Sequence, residues 1–106
     1  MNTYKNLKAS DFISTFQNTT NAMILDVRTE REFKQGHLDG AINIPSTEKN
    51  RLLSLDKNKT YFVHCRVGGR SAMVAHTMAI SGYDHIYNLN DNIDTLLNVN
   101  ARVKMT

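Results

Sequence analysis

Residues 61–71 constrain the fold of this chain more strongly than any other stretch. They begin with an apolar run, bounded by turn residues, that is typical of a strand covered on both faces. Gly68 and Gly69 follow and give the backbone the freedom that a tight turn requires. After Ser71, small and apolar residues recur at helical spacing. The stretch therefore predicts a buried strand, a tight turn and the start of a helix.

The rest of the chain alternates strand-like apolar runs with helical patterns. Thr29 and Glu32 have the spacing of a capping box, and Gly36 stands where that helix is expected to end. Strands that alternate with helices pair in parallel through right-handed crossovers. We therefore expect an α/β three-layer sandwich with a central, mostly parallel sheet of four to five strands flanked by helices. Besides the strand that begins at Tyr61, strands are predicted at 22–27, 40–44 and 85–89, and helices at 7–16, 29–36, 46–55 and 71–80.

The length of 106 residues suits one domain over residues 1–106, with a tail from about residue 98 that we expect to be loosely held. Met73 and Met78 are expected to fill the core. His64, His76 and His85 have no metal-ligand spacing together, and each is expected at the edge of the core or on the surface.

Cys65, the only cysteine of the sequence, stands at the C-terminal end of the predicted central strand. In open α/β sheets this edge binds ligands. A loop that leads into a helix start directs backbone N–H groups inward, and Arg66 and Arg70 add full positive charges. All of these neighbours favour the thiolate, so we predict a nucleophile. The alternative is an inert cysteine that packs as a small hydrophobic residue.

Two motifs carry a resemblance to a known family. The loop 65–71 resembles the active-site loop of the rhodanese (sulfurtransferase) family. The runs 25–28, 32–33 and 36–45 are similar to the second signature of that family, and the resemblance covers roughly residues 4–97. It implies a rhodanese-like fold and thiosulfate sulfurtransferase activity, in which the cysteine holds the outer sulfur of a donor such as thiosulfate as a persulfide. The sulfur then passes to cyanide or a thiol.

The resemblance also assigns roles around Cys65, which would be the catalytic residue. The substrate-binding residues would be Arg66, Val67, Gly68, Gly69, Arg70 and Ser71. Asp26 and Arg28 would buttress the active-site region; from the residues alone, we expect Asp26 to accept from local backbone N–H groups and Arg28 to pair with Glu32. His37 is either a general base or a histidine bonded to a loop backbone, and persulfide chemistry requires no base.

Composition limits the partners and the location. The net charge is +3 and the sequence pI about 9.2. The sequence has no run of lysine or arginine, so we do not expect it to bind nucleic acid. No apolar run reaches membrane-spanning length, and the first residues lack the apolar core of a signal peptide. One cysteine permits no internal disulfide and no site built on several thiolates. We therefore expect a cytoplasmic protein without a metal. The resemblance implies that it needs no cofactor and acts on a small anionic sulfur donor and on a thiol or cyanide acceptor.

Two other functions fit parts of the sequence. Cysteine phosphatases and the related arsenate reductases place five residues between a His-Cys pair and an arginine. Here His64 and Cys65 fit, but Ser71 takes the place of that arginine and Arg70 comes one residue early. One residue spans roughly 3.3–3.8 Å, so the shorter loop favours sulfur over phosphate. The second alternative is a sulfur carrier or sensor that acts with a protein partner.

The sequence departs from the family pattern after its last predicted strand. Family members commonly have a Gly-Gly pair there and then a tryptophan, whereas this chain has Asp91, Asn92 and Leu96. Asp and Asn tolerate a left-handed backbone, so we expect the turn to survive. The missing tryptophan leaves the final helix, and the pocket wall it contributes, without a large packing anchor.

Overall fold

The computed structural model describes residues 3–97 and the strand Val103–Lys104. The strands are β1 (Lys5–Leu7), β2 (Ala22–Asp26), β3 (His37–Leu38), β4 (Ile42–Asn43), β5 (Thr60–His64), β6 (Ile86–Leu89) and β7 (Val103–Lys104). Five of them are parallel and form the central sheet, in the order β1–β6–β5–β2–β4. The helices are α1 (Ala9–Gln17), α2 (Glu30–Gln35), α3 (Lys49–Leu52), α4 (Gly69–Ile80) and α5 (Ile93–Leu97). β3 and β7 pair separately and antiparallel.

The central strand β5 is buried on both faces, as the apolar run predicts. Successive side chains of a strand point to opposite faces. Tyr61 and Val63 pack with residues of α3 and α4, whereas Phe62 packs with α1. The Phe62 ring contacts that of Phe12 edge-on, with 5.5 Å between the ring centroids. Helices on both sides of the parallel sheet confirm the predicted three-layer α/β sandwich.

Helix α4 lies against the sheet through its small residues. Ala75 is 0% exposed and Ala79 is 1% exposed, and Met78 on the same face is also buried. Met73 is 70% exposed, so its predicted place in the core was wrong. Met73 lies two residues from Ala75. In a helix of 3.6 residues per turn this separates the two side chains by about 200°, so Met73 is on the side of α4 opposite to the buried face.

Two predicted helices differ from those observed. The helix predicted at 7–16 is preceded by strand β1, which pairs with β6, and α1 begins only at Ala9. β1 was not predicted because Lys5 and Asn6 are exposed at the edge of the sheet and show no apolar pattern. The helix predicted at 46–55 is reduced to α3, because the N–H of Ser46 bonds to Val27 and that of Glu48 bonds back to Pro45 in a turn.

The turn after β6 forms, but it is stabilised by side-chain hydrogen bonds and not by the predicted left-handed backbone. Neither Asp91 nor Asn92 has a positive φ. Instead, Asp91 Oδ2 accepts the N–H of Ala9 at 3.1 Å and thereby satisfies a free donor at the start of α1. Asn92 Oδ1 accepts the N–H of Asp94 at 2.8 Å in the first turn of α5. The final helix therefore forms without the tryptophan, while the Leu96 side chain lies outside the described residues.

In the part of the chain that the structure describes, no helix has both the length and the apolar character needed to span a membrane. The cytoplasmic location stays a prediction. The prediction of a loosely held tail falls mostly on residues 98–102 and 105–106, which lie outside the described residues.

Candidate active site

The loop between β5 and α4 holds Cys65 at the carboxyl edge of the sheet. Gly68 has a φ of +102°, in the left-handed region that favours glycine. A Cβ atom there would also lie 3.2 Å from the carbonyl oxygen of Leu89 in β6. The glycine therefore lets the chain turn back towards the sulfur and begin α4 at Gly69.

The sulfur of Cys65 accepts hydrogen bonds from its own loop. The N–H of Gly68 lies 3.1 Å from Sγ, and the hydroxyl of Ser71 lies 3.4 Å from it. The backbone N–H groups of Val67 and Ser71 also stabilise negative charge on the sulfur. Burial raises the pKa of this thiol, but the hydroxyl and these three amides outweigh it, so the pKa of Cys65 lies below its usual value. The residue is 1% exposed.

The two arginines of the loop have different surroundings. Arg70 donates to both carboxylate oxygens of Glu32, at 2.8 and 3.2 Å. Glu32 also accepts from the backbone and hydroxyl of Thr29 in the capping box, as predicted, and the Arg70 contact lowers the pKa of Glu32 to about 2. Arg66 is exposed, and no carboxylate among the described residues pairs with it. Of the two loop arginines, Arg66 is therefore the one whose charge has no carboxylate partner among the described residues.

Asp26 and Arg28 form a buried pair behind the loop. Asp26 is 0% exposed and accepts from the backbone N–H of Arg28 at 3.1 Å, as predicted for a local backbone contact. The Arg28 guanidinium also binds this carboxylate, with Nε 2.9 Å from Oδ1, and donates to the carbonyl of Gly36. The predicted pair of Arg28 with Glu32 was therefore wrong. The observed pair ties the end of β2 to the end of α2.

His64 lies deeper in the core than the sequence predicts. It is 0% exposed, not at the edge of the core. Its Nδ1 lies 3.3 Å from the Cys65 carbonyl, and its Nε2 lies 3.8 Å from Asp26 Oδ2 without a hydrogen-bond partner. Burial is the main reason that its pKa lies below the usual value, so the ring is neutral near pH 7. Its place in the apolar run before Cys65 was the sequence signal that could have predicted this burial.

His37, in β3, is held by the preceding helix α2. Its ring N–H at Nδ1 donates to the carbonyl of Phe33 at 2.9 Å. The ring also stacks on that of Phe33, with 3.7 Å between the centroids. These contacts support the predicted backbone-bonded histidine over a general base, although the accepting carbonyl belongs to α2 and not to a loop.

The arrangement around the sulfur suits an anion. Its donors are backbone N–H groups, one hydroxyl and a nearby guanidinium, all of which stabilise negative charge. In residues 3–97 and 103–104, no group of three or more His, Cys, Asp or Glu side chains is placed to hold a metal ion. The site can therefore keep a thiolate ionised and hold a further negatively charged atom beside it.

Replacing Ser71 by alanine is expected to raise the pKa of Cys65, because the variant loses the hydroxyl donor 3.4 Å from the sulfur. At a pH between the wild-type pKa and that of a free thiol, about 8.5, a smaller fraction of the variant is thiolate. Alkylation by iodoacetamide, measured as a function of pH, should be several-fold slower there. Ser54→Ala, which removes an exposed hydroxyl bonded to Arg51, is the control. Identical pH profiles for the two variants would contradict the role of Ser71.

Comparison with known proteins assigns the family. The family model described as Rhodanese-like domain matches residues 9–96. Thiosulfate sulfurtransferase PspE from Escherichia coli (strain K12) is 39% identical over 67 residues, which cover 60% of this chain and 64% of that protein. "Putative sulfur carrier protein YrkF" from Bacillus subtilis (strain 168) is 36% identical over 67 residues, which cover 62% of this chain and 36% of that protein. The chain thus spans less than two thirds of the length of each of these relatives.

A solved structure extends the likeness to nearly the whole fold. The crystal structure of a rhodanese-related protein from Thermoplasma volcanium matches with a TM-score of 0.82 and 25% sequence identity. The match covers 97% of this chain and 100% of that one. The signature loop around Cys65, the parallel sheet and the family model agree, and the chain belongs to the family of rhodanese-like domains.

Proposed function

We propose that this chain is a sulfurtransferase that moves the outer sulfur of thiosulfate, or of a similar donor, through a persulfide on Cys65 to cyanide or a thiol. The observation that carries the proposal is the sulfur of Cys65 at the focus of the Gly68 amide and the Ser71 hydroxyl, with its pKa lowered. The similarity to a protein named thiosulfate sulfurtransferase supports it.

The reaction has two balanced steps. In the first, the Cys65 thiolate attacks the outer sulfur of thiosulfate, the S–S bond of the donor breaks, and sulfite leaves with the electron pair. In the second, cyanide attacks the outer sulfur of the persulfide, thiocyanate leaves, and the thiolate returns. The loop amides that stabilise the thiolate also suit the negative charge of the persulfide.

The loop residues have different roles in binding the donor. Arg66 offers its unpaired charge to the dianionic donor, while Glu32 holds the guanidinium of Arg70. Val67 is 64% exposed and carries no charge, so it contributes only its backbone N–H. A Cβ atom at Gly69 would meet no atom within 4 Å apart from its chain neighbours and its own helix backbone, so this residue leaves the approach to the loop open.

A second candidate is a sulfur carrier that passes the persulfide to a protein partner. The likeness to a protein named as a sulfur carrier favours it. The phosphatase alternative finds less support, because Arg70, the arginine nearest the required position, is bound to Glu32 on both oxygens.

Intact-mass spectrometry after thiosulfate treatment, with p-nitrophenyl phosphate hydrolysis measured in parallel, separates these functions. A gain of one sulfur atom that cyanide removes supports transferase or carrier, and repeated turnover with thiosulfate and cyanide selects the transferase. A persulfide that turns over only when a protein acceptor is supplied selects the carrier. Phosphate release without added sulfur would overturn both.

A further inference from the structure

An apolar groove lies between α4 and the segment that contains α3. Its volume is about 240 Å³. Leu52, Val74 and Met78 line it, and they belong to the same core cluster as Cys65. Met73 also lines it and is 70% exposed. The groove therefore presents apolar surface to solvent on the outer side of the cluster that holds the reactive sulfur.

The groove runs along one face of α4, starting at the catalytic loop. The α4 residues that line it are Arg70, Met73, Val74, Thr77 and Met78. Their spacing of three and four places them on one helix face, and the span of this face is about 12 Å at 1.5 Å per residue. Arg70 adjoins Ser71, whose hydroxyl bonds to Cys65, and the Arg70 guanidinium is close enough to the thiolate for the two charges to attract.

The opposite wall adds a free positive charge. Lys49 lines the groove, and no carboxylate in residues 3–97 pairs with it. Ser46 and Thr47 beside it contribute hydroxyl groups. The charge of Arg70 is offset by Glu32, so Lys49 is the cation available to a ligand. An apolar lining with one cation and a few hydroxyls suits a ligand with an apolar body and an anionic group.

We propose that this groove binds the sulfur acceptor, and that the acceptor is a thiol on a short apolar chain that ends in an anionic group. The inference rests on the proposed sulfur transfer. The chain lies along Met73 and Val74, the anionic group meets Lys49, and the thiol end lies at Arg70 beside the loop. Cyanide has no chain and needs none of these contacts.

The transfer step balances without an added oxidant. The acceptor thiol loses its proton to water, and its thiolate attacks the outer sulfur of the Cys65 persulfide. A new S–S bond forms on the acceptor as the bond to Cys65 Sγ breaks. The electron pair of the broken bond returns to Cys65 as the thiolate, and the acceptor leaves as a persulfide.

Three thiols test the proposal on the full chain. Mercaptohexanoate has both the apolar chain and the carboxylate, mercaptohexanol has the chain alone, and mercaptoacetate has the carboxylate alone. Burial of the additional methylene groups is expected to raise kcat/KM for mercaptohexanoate on the order of tenfold above that for mercaptoacetate. The value for mercaptohexanol should lie between them. Equal values for the three thiols would overturn the proposal.

Two variants locate the effect in the groove. Met73→Asp should lower the ratio of kcat/KM for mercaptohexanoate to that for cyanide, and Lys49→Glu should remove the advantage of mercaptohexanoate over mercaptohexanol. The matched controls are Ile80→Asp, which alters a residue 55% exposed on the same helix, and Lys5→Glu, which alters a residue on the far edge strand. Equal changes in the variants and their controls would contradict the groove as the acceptor site.

Binding of hexanoate, which has no thiol, separates this proposal from the proposed function. NMR titration should shift signals of Met73 and Thr77 in the wild type and not in Lys49→Glu. If thiosulfate forms no persulfide, the proposed function and the acceptor role fail together, even where hexanoate binds. If the persulfide forms and cyanide removes it while hexanoate shifts nothing in the groove, only the groove proposal fails.

Discussion

Replacing Cys65 by serine is expected to lower thiocyanate formation from thiosulfate and cyanide on the order of a thousandfold or more. The serine hydroxyl is not ionised near neutral pH and cannot form the sulfur–sulfur bond on which the transfer depends. The same variant should gain no mass after thiosulfate treatment. The measurement is steady-state thiocyanate production beside intact-mass spectrometry of the wild type and the variant.

The loss should be chemical and not structural. Serine is close to cysteine in size, and the Gly68 amide that bonds to Sγ would meet an oxygen acceptor. We therefore expect the free energy of unfolding to change by no more than about 1 kcal/mol. Wild type alkylated at its single thiol is a second control and should be equally inactive. Substantial activity in the serine variant would show that another group carries the sulfur.

Replacing Asp26 by asparagine is expected to destabilise the fold by about 3–5 kcal/mol. Asp26 is 0% exposed and Arg28 is 6% exposed, and the guanidinium binds the carboxylate through Nε at 2.9 Å. The amide keeps the shape of the carboxylate but leaves the charge of Arg28 buried without compensation. A domain of this size should then lose on the order of 15 °C in Tm. Urea unfolding monitored by circular dichroism measures the change.

An exposed ion pair provides the matched control. Glu30 and Lys34 lie 2.9 Å apart on α2, and their side chains are 72% and 68% exposed. Glu30→Gln removes one charge, as Asp26→Asn does, but solvent already screens it, so we expect no measurable loss of stability. A loss in Glu30→Gln comparable to that in Asp26→Asn would show that burial does not set the cost.

Local patterns predicted the centre of the molecule well. The strand, the turn and the helix around Cys65 depend on neighbouring residues: an apolar run, a glycine at a left-handed position and helical spacing after it. The capping box of Thr29 and Glu32 is equally local and was also predicted. The amides that meet Cys65 come from the next six residues, so local sequence patterns were sufficient to predict them.

Contacts between distant residues were not predictable in the same way. β1 was missed because its stability comes from pairing with β6, and Asn6 and Asn88 meet across 82 positions of the chain. Glu32 was assigned to Arg28, four residues away, but binds Arg70, which is 38 residues away. Sequence spacing ranks nearby partners first, and only packing brings distant ones within reach.

The sequence by itself determined that a lone cysteine stands at the end of a buried strand, before a glycine turn and a helix, because each of these signals acts within a few residues. Only the tertiary structure decided which charges near that cysteine are free. It buried Asp26 with Arg28 and bound Arg70 to Glu32, while Arg66 and Lys49 stayed unpaired among the described residues. The physical reason is that the strength and availability of a charge depend on its partners and burial, which the fold assembles from separate parts of the chain.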